Sequence, residues 1–489
     1  MHPLAEELKL MVSSGYPLVY LLTHEEERAS RLVAEAMASL ELKTSIWSRT
    51  GGVKSPAGVR DPAQLFESLK DAKAGATVLL DFHFYLEDPD VLRRMRDLFP
   101  VLSKNGHCLV IVAPLLVLPT ELEKEVALLE LGFPSREELD HKFRQICAEE
   151  KVIFPEDFIE NVVRAARGLT ETEANRVFTK ALRKGGGFKL DDISLILEEK
   201  KKSIRKSEVL EYFELDEQLD HVGGLEEVKR WVQSRSRAFD EEARKFGLPA
   251  PKGLLLIGVQ GCGKSLTAKA VAGTWRLPLI RLDLGAVFGS SSPETAIHRA
   301  VKVSESLAPV VLWVDEIEKG FADMGGAGSG NATRVFGSFV TWLQEKQEAV
   351  FVVATANEVA NLPPELLRKG RFDETFFVDL PDVHERQVVL DIHLKKRDRD
   401  PAGFDLERLA RQSEHFSGAE LEQGVVAGMY RAFGEEREVT TEDIGKELSE
   451  IIPLYATYEE KIKALREWAK TRARRASLDQ SLVDLFDQE

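Results

Sequence analysis

Short unbroken runs of apolar residues, each followed by polar residues, recur along the second half of the chain. Clear examples are LLLI at 254–257, VVLWV at 310–314 and EAVFVVATANE at 348–358. Runs of this length without alternation are typical of parallel strands that are buried on both faces. After the first run, Leu266 and Ala270 recur at helical spacing, so a helix follows this strand. The pattern predicts an α/β fold built on a parallel sheet.

The first half of the chain repeats the alternation of strands and helices. Residues 16–37 combine a strand pattern with a helix pattern, and apolar strand patterns follow at 77–86 and 107–115. Residues 135–182 carry only helical patterns. The first half therefore predicts a second α/β unit that ends in helices.

The segment GVQGCGKS at 258–265 joins the strand at 254–257 to the helix that follows. A glycine-rich turn at a helix start directs several backbone N–H groups into one concavity, where phosphate oxygens fit. In the pattern GxxxxGK[ST], Lys264 reaches the β and γ phosphates, and the Ser265 hydroxyl is placed to ligate Mg²⁺. The segment predicts a site for ATP and Mg²⁺. The expected nucleotide contacts of this segment are Gly258, Gly261, Cys262, Gly263, Lys264, Ser265 and Leu266.

Hydrolysis also needs an acidic residue that holds Mg²⁺ at the end of a neighbouring buried strand. The run at 310–314 leads directly into Asp315 and Glu316. We assign Asp315 to Mg²⁺ through water and Glu316 to polarising the attacking water. Asn357, at the end of the third strand, is expected to touch the γ phosphate or to orient the water; its alternative role is to cap the following turn.

Two arginines follow three residues apart in LPPELLRKGRFDE at 362–374. Arg368 and Arg371 resemble arginines that stabilise the charge of a transferring phosphoryl group. Their alternative role is an ordinary surface ion pair.

In this order and spacing, these segments resemble the Walker A, Walker B, sensor 1 and arginine-finger elements of the AAA family of ATPases. The resemblance is carried by GVQGCGKS, VVLWVDE, ATAN and ELLRKGRFDE. DHVGGLEEVK at 220–229 resembles the entry motif of that family, which implies that the backbone at Val222 and Gly223 meets the adenine. FSGAELE at 416–422 resembles the second sensor, which implies that Gly418 and Ala419 lie beside the nucleotide, without a sensor arginine. The arrangement of the whole chain is similar to uncharacterised AAA ATPases from chloroplast reading frames and many bacteria.

The resemblance implies a P-loop (AAA+) parallel-sheet domain with a helical lid, preceded by a degenerate α/β plus helical module. In the first half, THEEER at 23–28 stands where the glycine cradle would be, and its carboxylates exclude a phosphate. The alternative is an α/β domain unrelated to the second half. The expected divisions are a degenerate P-loop-like domain at 1–120, a helical lid-like domain at 121–190, a charged linker at 191–215, an ATPase domain at 216–385, a helical lid domain at 386–475 and an acidic tail at 476–489.

Composition and charge narrow the expected partners and compartment. The chain has 489 residues and a formal net charge of −16, which repels nucleic acid. Basic stretches at 198–208 and 461–475 are interpreted as solvated surface, with nucleic-acid binding as the alternative. No apolar run approaches the ~18 residues of a membrane span, and no secretory signal pattern is present, so we expect a cytoplasmic protein. The cysteines are far apart, which predicts reduced thiols.

The resemblance further implies a ring, expected to be a homo-hexamer, because the family's arginine fingers face a neighbour's nucleotide. GAVFGSSSPE at 285–294 is placed like the family's substrate-gripping pore loop, with its aromatic residue, Phe288, one position later than usual. GGAGSGNATR at 325–334 is either a second pore loop or a long loop. The resulting hypotheses are an ATP-driven protein remodeller or unfoldase and a nucleotide-gated scaffold that recruits a partner through the first half. A nucleic-acid remodeller is a third, motivated only by the basic stretches.

Overall fold

The computed structural model describes residues 2–53, 59–184, 188–189, 192–205, 207–214, 217–239, 241–320, 329–360 and 362–477. The chain divides into two compact units, Met1–Leu197 and Glu198–Glu489. Two expected features lie outside the described residues: the start of the glycine loop at 325–328 and the acidic tail beyond residue 477. In the described ranges, no helix has the length and apolar character needed to cross a bilayer.

The first unit contains a sheet with covering helices, followed by a helical group. Its elements are α1 (Pro3–Ser13), β1 (Leu18–Leu22), α2 (Glu26–Ala38), β2 (Lys43–Ser48), β3 (Gly52–Val53), α3 (Pro62–Leu69), β4 (Gly75–Leu80), α4 (Pro89–Asn105), β5 (His107–Ala113), β6 (Val126–Glu130), α5 (Arg136–Glu149), α6 (Glu156–Ala166) and α7 (Glu171–Arg183), and α8 (Ile193–Arg205) contains the division between the units.

The first sheet has the strand order β3-β2-β4-β5-β1-β6, and all its pairs are parallel except β2 with β3. Strand β5 is buried at every position, as its apolar run predicted. Strand β6 pairs with β1 from Val126 to Glu130, so the sheet continues past residue 120, where we expected the first domain to end. Only one residue of β6 is buried, because β6 is an edge strand, and we did not assign a strand to its short apolar run.

The second unit contains the sheet that carries the predicted site, followed by a helical lid. Its elements are β7 (Leu210–Phe213), α9 (Glu226–Gln233), α10 (Glu241–Lys245), β8 (Gly253–Gly258), α11 (Lys264–Trp275), β9 (Leu279–Leu282), α12 (Leu284–Gly289), α13 (Pro293–Ser306), β10 (Val310–Val314), α14 (Ser329–Glu345), β11 (Val350–Ala356), β12 (Glu374–Val378), α15 (Val383–Lys395), α16 (Leu406–Gln412), α17 (Gly418–Gly434), α18 (Thr441–Glu450), α19 (Leu454–Ala469) and β13 (Arg474–Arg475).

The second sheet has the order β13-β12-β8-β11-β10-β9-β7. Alternate residues of β8 enter different cores, with Leu255 and Ile257 in one and Leu254 and Leu256 in the other, so both faces are buried as predicted. The two sheets share a strand order when the antiparallel strands β3 and β7 are left out. In each sheet, the first parallel strand along the chain then lies between the fourth and the fifth, as β5-β1-β6 and as β11-β8-β12. The two sheets confirm the expected α/β fold with parallel sheets, and their shared strand order is consistent with a first half that is related to the second.

Two segments of the second unit differ from the expected divisions. Strand β7 lies inside the expected linker at 191–215 and pairs antiparallel with β9. Helix α14 begins at Ser329, so the expected loop at 325–334 is helical over its last residues. Both were missed because edge strands and glycine-containing helix starts have little apolar patterning.

The lid has its own core, but it ends earlier than we expected. Helices α15 to α18 share that core through residues such as Leu390, Leu421 and Leu448. Helix α19 instead packs Leu465 and Ala469 into the core beside the sheet, and β13 pairs with β12. The helical lid therefore ends before α19 rather than at residue 475. The helical pattern of α19 predicts a buried face but does not identify the core that the face joins.

Candidate active site

The glycine segment forms a tight turn between the end of β8 and the start of α11. Gly261 and Gly263 have φ angles of 78° and 84°, in the left-handed region that glycine adopts at little cost. A Cβ at Gly261 would lie 2.9 Å from Ser417 Oγ and 3.2 Å from Ala419 Cβ. The turn therefore needs glycine both for its backbone conformation and for its approach to the lid.

Lys264 lies at the base of the turn and is only 6% exposed. Its Nζ donates to the carbonyl oxygens of Gly258, at 2.9 Å, and Val259, at 2.7 Å. Burial lowers the pKa of Lys264 to about 8, and nearby carboxylates, including Asp315, only partly offset this. Among the described residues the ammonium has no ion-pair partner. A phosphate group would supply the missing counter-charge.

Ser265 and Asp315 meet where α11 passes the carboxyl end of β10. The Ser265 hydroxyl donates to Asp315 Oδ1 at 2.9 Å. Thr355, from the neighbouring strand β11, donates to the same oxygen at 2.6 Å and accepts the backbone N–H of Glu316 at 2.9 Å. Thr355 thus fixes both acids, and sequence analysis gave it no role because its contact depends on the pairing of β10 with β11.

Glu316 is held from two directions in a backbone conformation unusual for a non-glycine residue. Its φ is 48°, a left-handed value of the kind that occurs at functional sites. The Asn357 side-chain amide donates to Glu316 Oε1 at 3.0 Å, and Lys319 forms an ion pair with Oε2. Asn357 thus orients Glu316, a contact more specific than the turn cap considered above.

A third carboxylate, that of Glu318, follows this pair and is buried. Its Oε1 accepts the backbone N–H of Asn357 at 3.0 Å, whereas its buried Oε2 has no hydrogen-bond partner among the described residues. Burial raises the pKa of Glu318. The acidic residue two positions after Glu316 was a visible sequence signal to which we assigned no role.

A cavity of about 250 Å³ brings half of the predicted site residues together. Its lining is formed by Gln260, Gly261, Gly263, Lys264, Ser265, Leu266, Asp315, Glu316, Thr355 and Asn357. It therefore joins the glycine turn, both acids and the end of β11 in one space.

The residues expected near adenine lie where the ATPase domain meets the lid. Val222 is buried, and a Cβ on Gly223 would lie 2.5 Å from Val389 of α15. At the start of α17, the Ala419 N–H donates to Gly261 O at 3.0 Å, and a Cβ on Gly418 would lie 3.3 Å from that oxygen. Both lid segments thus contact the surroundings of the glycine turn.

Cys262 lies in the same turn, near the start of the lid helix. Burial raises the pKa of the Cys262 thiol to about 12. It is therefore a protonated thiol at neutral pH, as expected for a reduced cysteine.

The two arginines lie at the opposite end of β8. The Asp373 carboxylate, two residues after Arg371, accepts the N–H of Gly253, the first residue of β8, at 2.9 Å. Arg371 Nη1 donates to the carbonyl of Glu365 in its own loop. The Arg368 side chain is exposed and has no hydrogen-bond or ion-pair partner among the described residues. The two arginines therefore differ, since Arg371 is tied to its loop and Arg368 is available to another molecule.

The corresponding turn of the first unit is filled by ion pairs. Arg28 is 2% exposed and binds Glu138 through Nε at 3.1 Å and Nη2 at 2.7 Å, and Glu25 through Nη1 at 2.8 Å. Glu25 Oε1 accepts the N–H of Glu171, at the start of α7, at 2.5 Å. This contact corresponds to the one between Ala419 and Gly261, but a carboxylate replaces the glycine turn. The absence of a phosphate site in this turn stays a prediction.

Comparisons with known proteins match both halves of the chain. A family profile described as "ATPase family associated with various cellular activities (AAA)" covers residues 254–380. The chain is 37% identical over 477 residues to an uncharacterised AAA domain-containing protein, ycf46, of Guillardia theta, covering 95% of this chain and 94% of that protein. The chain belongs to the AAA family of ATPases.

Further AAA matches extend this assignment. Profiles described as the N-terminal and second domains of SpoVK-like AAA ATPases cover residues 4–131 and 136–207. The ycf46 protein of Pyropia yezoensis is 36% identical over 487 residues, covering 97% of this chain and 99% of that protein. The ATPase family gene 2 protein of Saccharomyces cerevisiae is 33% identical over 207 residues, covering 41% of this chain and 26% of that protein. The profile of the N-terminal domain ends at residue 131, just after β6, so it covers all the strands of the first sheet.

Proposed function

We propose that this AAA protein hydrolyses ATP with Mg²⁺ in a ring, expected to be a homo-hexamer, and uses hydrolysis to remodel or unfold a protein substrate. The observation that supports it best is the placement of the cradle and the arginine loop at opposite ends of β8. At a rise of about 3.3 Å per residue, a six-residue strand separates its ends by about 17 Å. That separation exceeds the length of an arginine side chain, so Arg368 and Arg371 serve the nucleotide of a neighbouring subunit.

The described residues fit ATP and Mg²⁺. The turn offers backbone N–H groups at the start of α11, and Lys264 offers a buried positive charge without an ion-pair partner. Mg²⁺ usually keeps several waters and binds one or two protein oxygens together with substrate phosphates. Ser265 and Asp315, whose oxygens are 2.9 Å apart, provide such a pair. When bound, Mg²⁺ neutralises negative charge on the phosphate oxygens.

In this scheme the protein positions charge and moves one proton. Glu316 accepts the proton of the attacking water, and the amide of Asn357, 3.0 Å from Glu316 Oε1, holds that carboxylate in place. Lys264 binds and orients the phosphates. The arginines of the neighbouring subunit stabilise the charge that develops during transfer.

Substrate capture tests the remodelling role. A Glu316→Gln ring should bind ATP without hydrolysing it and should therefore retain a protein substrate through purification. Adding a retained protein to the wild-type ring should increase ATP turnover. If every protein that co-purifies leaves turnover unchanged, the remodelling proposal is wrong.

A nucleotide-gated scaffold is the second candidate, and the packing of Phe288 favours it. Phe288 stacks on Phe336 with ring centroids 5.6 Å apart and planes at 24°, and it is half-buried, while the adjacent Val287 is fully buried. An aromatic that grips a threaded polypeptide should instead be available to solvent. Loss of substrate-stimulated turnover in Phe288→Ala would support remodelling. ATP-dependent partner binding that this change leaves intact would support the scaffold.

Basic residues of the stretch at 461–475 form ion pairs with acidic residues of the second unit, which argues against a nucleic-acid role. Lys461 pairs with Glu358 at 3.2 Å, and Arg466 pairs with Asp379 at 2.8 Å. We expect ATP turnover to be the same with and without DNA or RNA at low salt, where phosphate contacts are strongest.

A further inference from the structure

The arginine loop, residues 365–373, is fastened to the amino end of β8 by two side chains. Asp373 Oδ2 accepts two consecutive backbone N–H groups, from Lys252 at 2.6 Å and Gly253 at 2.9 Å. In return, Lys252 Nζ donates to Gly370 O at 3.0 Å and to Gln344 O at 2.6 Å. The loop is therefore held at both Gly370 and Asp373, on either side of Arg371.

Other contacts in the loop hold its backbone while the Arg368 side chain stays exposed. Phe372 is buried in the core beside the sheet, and Leu366 is fully buried. Arg371 donates to Glu365 O within the loop. Because these contacts fix the backbone around Arg368, the direction of its side chain depends on them.

We propose that Asp373, acting with Lys252, is a positioning residue for the arginine that serves the neighbouring subunit's nucleotide. This inference rests on the proposed function, because it requires hydrolysis in a ring with arginines acting in trans. The carboxylate suits this task, since a charged acceptor binds two convergent N–H groups more strongly than a neutral one. Charge stabilisation by an arginine depends steeply on position, and a displacement of about 1 Å can cost roughly 10²-fold in rate.

The first test measures single variants of the full chain. Asp373→Ala should lower ATP turnover by roughly 10²-fold, because the arginine is displaced, while ATP binding to the subunit's own cradle is unchanged. Asp373→Asn keeps one acceptor oxygen and should recover part of the activity. Lys252→Met keeps the backbone N–H and removes the ammonium at Gly370, so it should resemble Asp373→Ala. Asp391→Ala, which removes the 2.8 Å surface ion pair with Lys395, is the matched control and should behave as wild type.

Mixed rings separate a positioning role from a general structural one. Asp373→Ala subunits keep an intact cradle, so activity should return when they are combined with Lys264→Ala subunits, which keep an intact arginine loop. No activity should return when they are combined with Arg368→Ala subunits, because neither variant then presents a positioned arginine. Co-purification of differently tagged subunits establishes that the rings are mixed.

The outcomes distinguish this inference from the function on which it rests. Wild-type turnover by Asp373→Ala, or recovery with Arg368→Ala subunits, would overturn the positioning role. It would also be overturned if Arg368→Ala subunits recover with Lys264→Ala while Asp373→Ala subunits do not. If mixed rings with Lys264→Ala stay inactive for both Arg368→Ala and Arg371→Ala, the arginines do not act in trans, and the role of Asp373 fails together with the ring mechanism.

Discussion

The side-chain amide of Asn357 donates a 3.0 Å hydrogen bond to Oε1 of Glu316. The two residues lie at the carboxyl ends of the paired strands β10 and β11. The bond gives Glu316 a fixed direction in the cavity, although its backbone is in a left-handed conformation. It also makes the contribution of each residue to hydrolysis depend on the other.

Replacing Glu316 by glutamine should leave ATP binding intact and reduce hydrolysis by ~10² or more, because an amide cannot accept the proton of water as a carboxylate does. Asn357→Ala should cause a smaller loss. The double variant should be no slower than Glu316→Gln alone, since Asn357 acts through Glu316. Steady-state turnover and a nucleotide-binding assay provide both measurements. Additive losses in the double variant would show that Asn357 contacts the reacting groups independently.

Lys264→Ala should abolish ATP binding by the full chain, because the cradle loses its buried positive charge. Calorimetric titration should then detect no residual nucleotide site, since Arg28, Glu25 and Glu138 fill the corresponding turn of the first unit. Micromolar ATP binding that persists in this variant would contradict either the role of Lys264 or the degenerate character of the first unit. Titrating residues 1–197 alone would identify which one is wrong.

ATP binding should take up protons near pH 8 to 9. In the nucleotide-free protein, burial lowers the pKa of Lys264 from 10.5 to about 8, so the amine is largely neutral above that pH. Phosphate oxygens favour the charged form and raise its pKa, so affinity should fall as pH rises above about 8. Titrations in buffers of different ionisation enthalpy measure the uptake. Lys264→Arg is the control, because its guanidinium stays charged, and equal uptake in both proteins would assign the proton to another group.

The buried amine also affects folding stability. Its pKa is lower in the folded protein than in the unfolded chain, so the unfolded chain binds more protons between about pH 8 and 10.5. The contribution of Lys264 to the free energy of unfolding should therefore increase across that interval.

Alanine at Arg368 should leave ATP binding unchanged and reduce hydrolysis by ~10³, because the residue acts on a neighbour's nucleotide. Mixing Arg368→Ala with Lys264→Ala subunits should restore part of the activity, since each supplies what the other lacks. Arg371→Ala should recover in the same mixture, although its side chain also braces the loop through Glu365. If ATP hydrolysis is not restored in mixed rings for either arginine, the trans role is wrong, and both residues have only ordinary surface roles.

The elements with the strongest apolar signal were predictable from sequence, and they position most of the site. Strands β8, β10 and β11 are buried at every position. The turn after β8 combines glycines with a lysine and a serine, a pattern that is specific for phosphate binding. Asp315 and Glu316, which follow β10, therefore meet Asn357, which follows β11, in one cavity. Parallel pairing at adjacent strand ends was sufficient to bring these residues together.

The missed features depend on contacts that a local pattern does not contain. Strands β6, β7 and β13 are edge strands with few buried positions, so pairing alone defines them. Thr355 and Glu318 are functional neighbours only because β11 lies beside β10. The roles of Asp373 and Arg28 likewise depend on partners more than 100 residues away.

Strand β8 is held at both ends by side chains from outside the strand. Lys264 binds the carbonyl of Gly258 at one end, and Asp373 binds the N–H of Gly253 at the other. In the proposed ring, each strand β8 would link its own subunit's cradle to the arginine loop that faces a neighbouring subunit. A shift at either end of this stiff six-residue segment would move the other end, because coupling between two sites is reciprocal. In the proposed ring, nucleotide bound in one subunit is therefore expected to affect the arginine loop that faces its neighbour, and the neighbour's nucleotide is expected to affect this subunit's affinity for ATP.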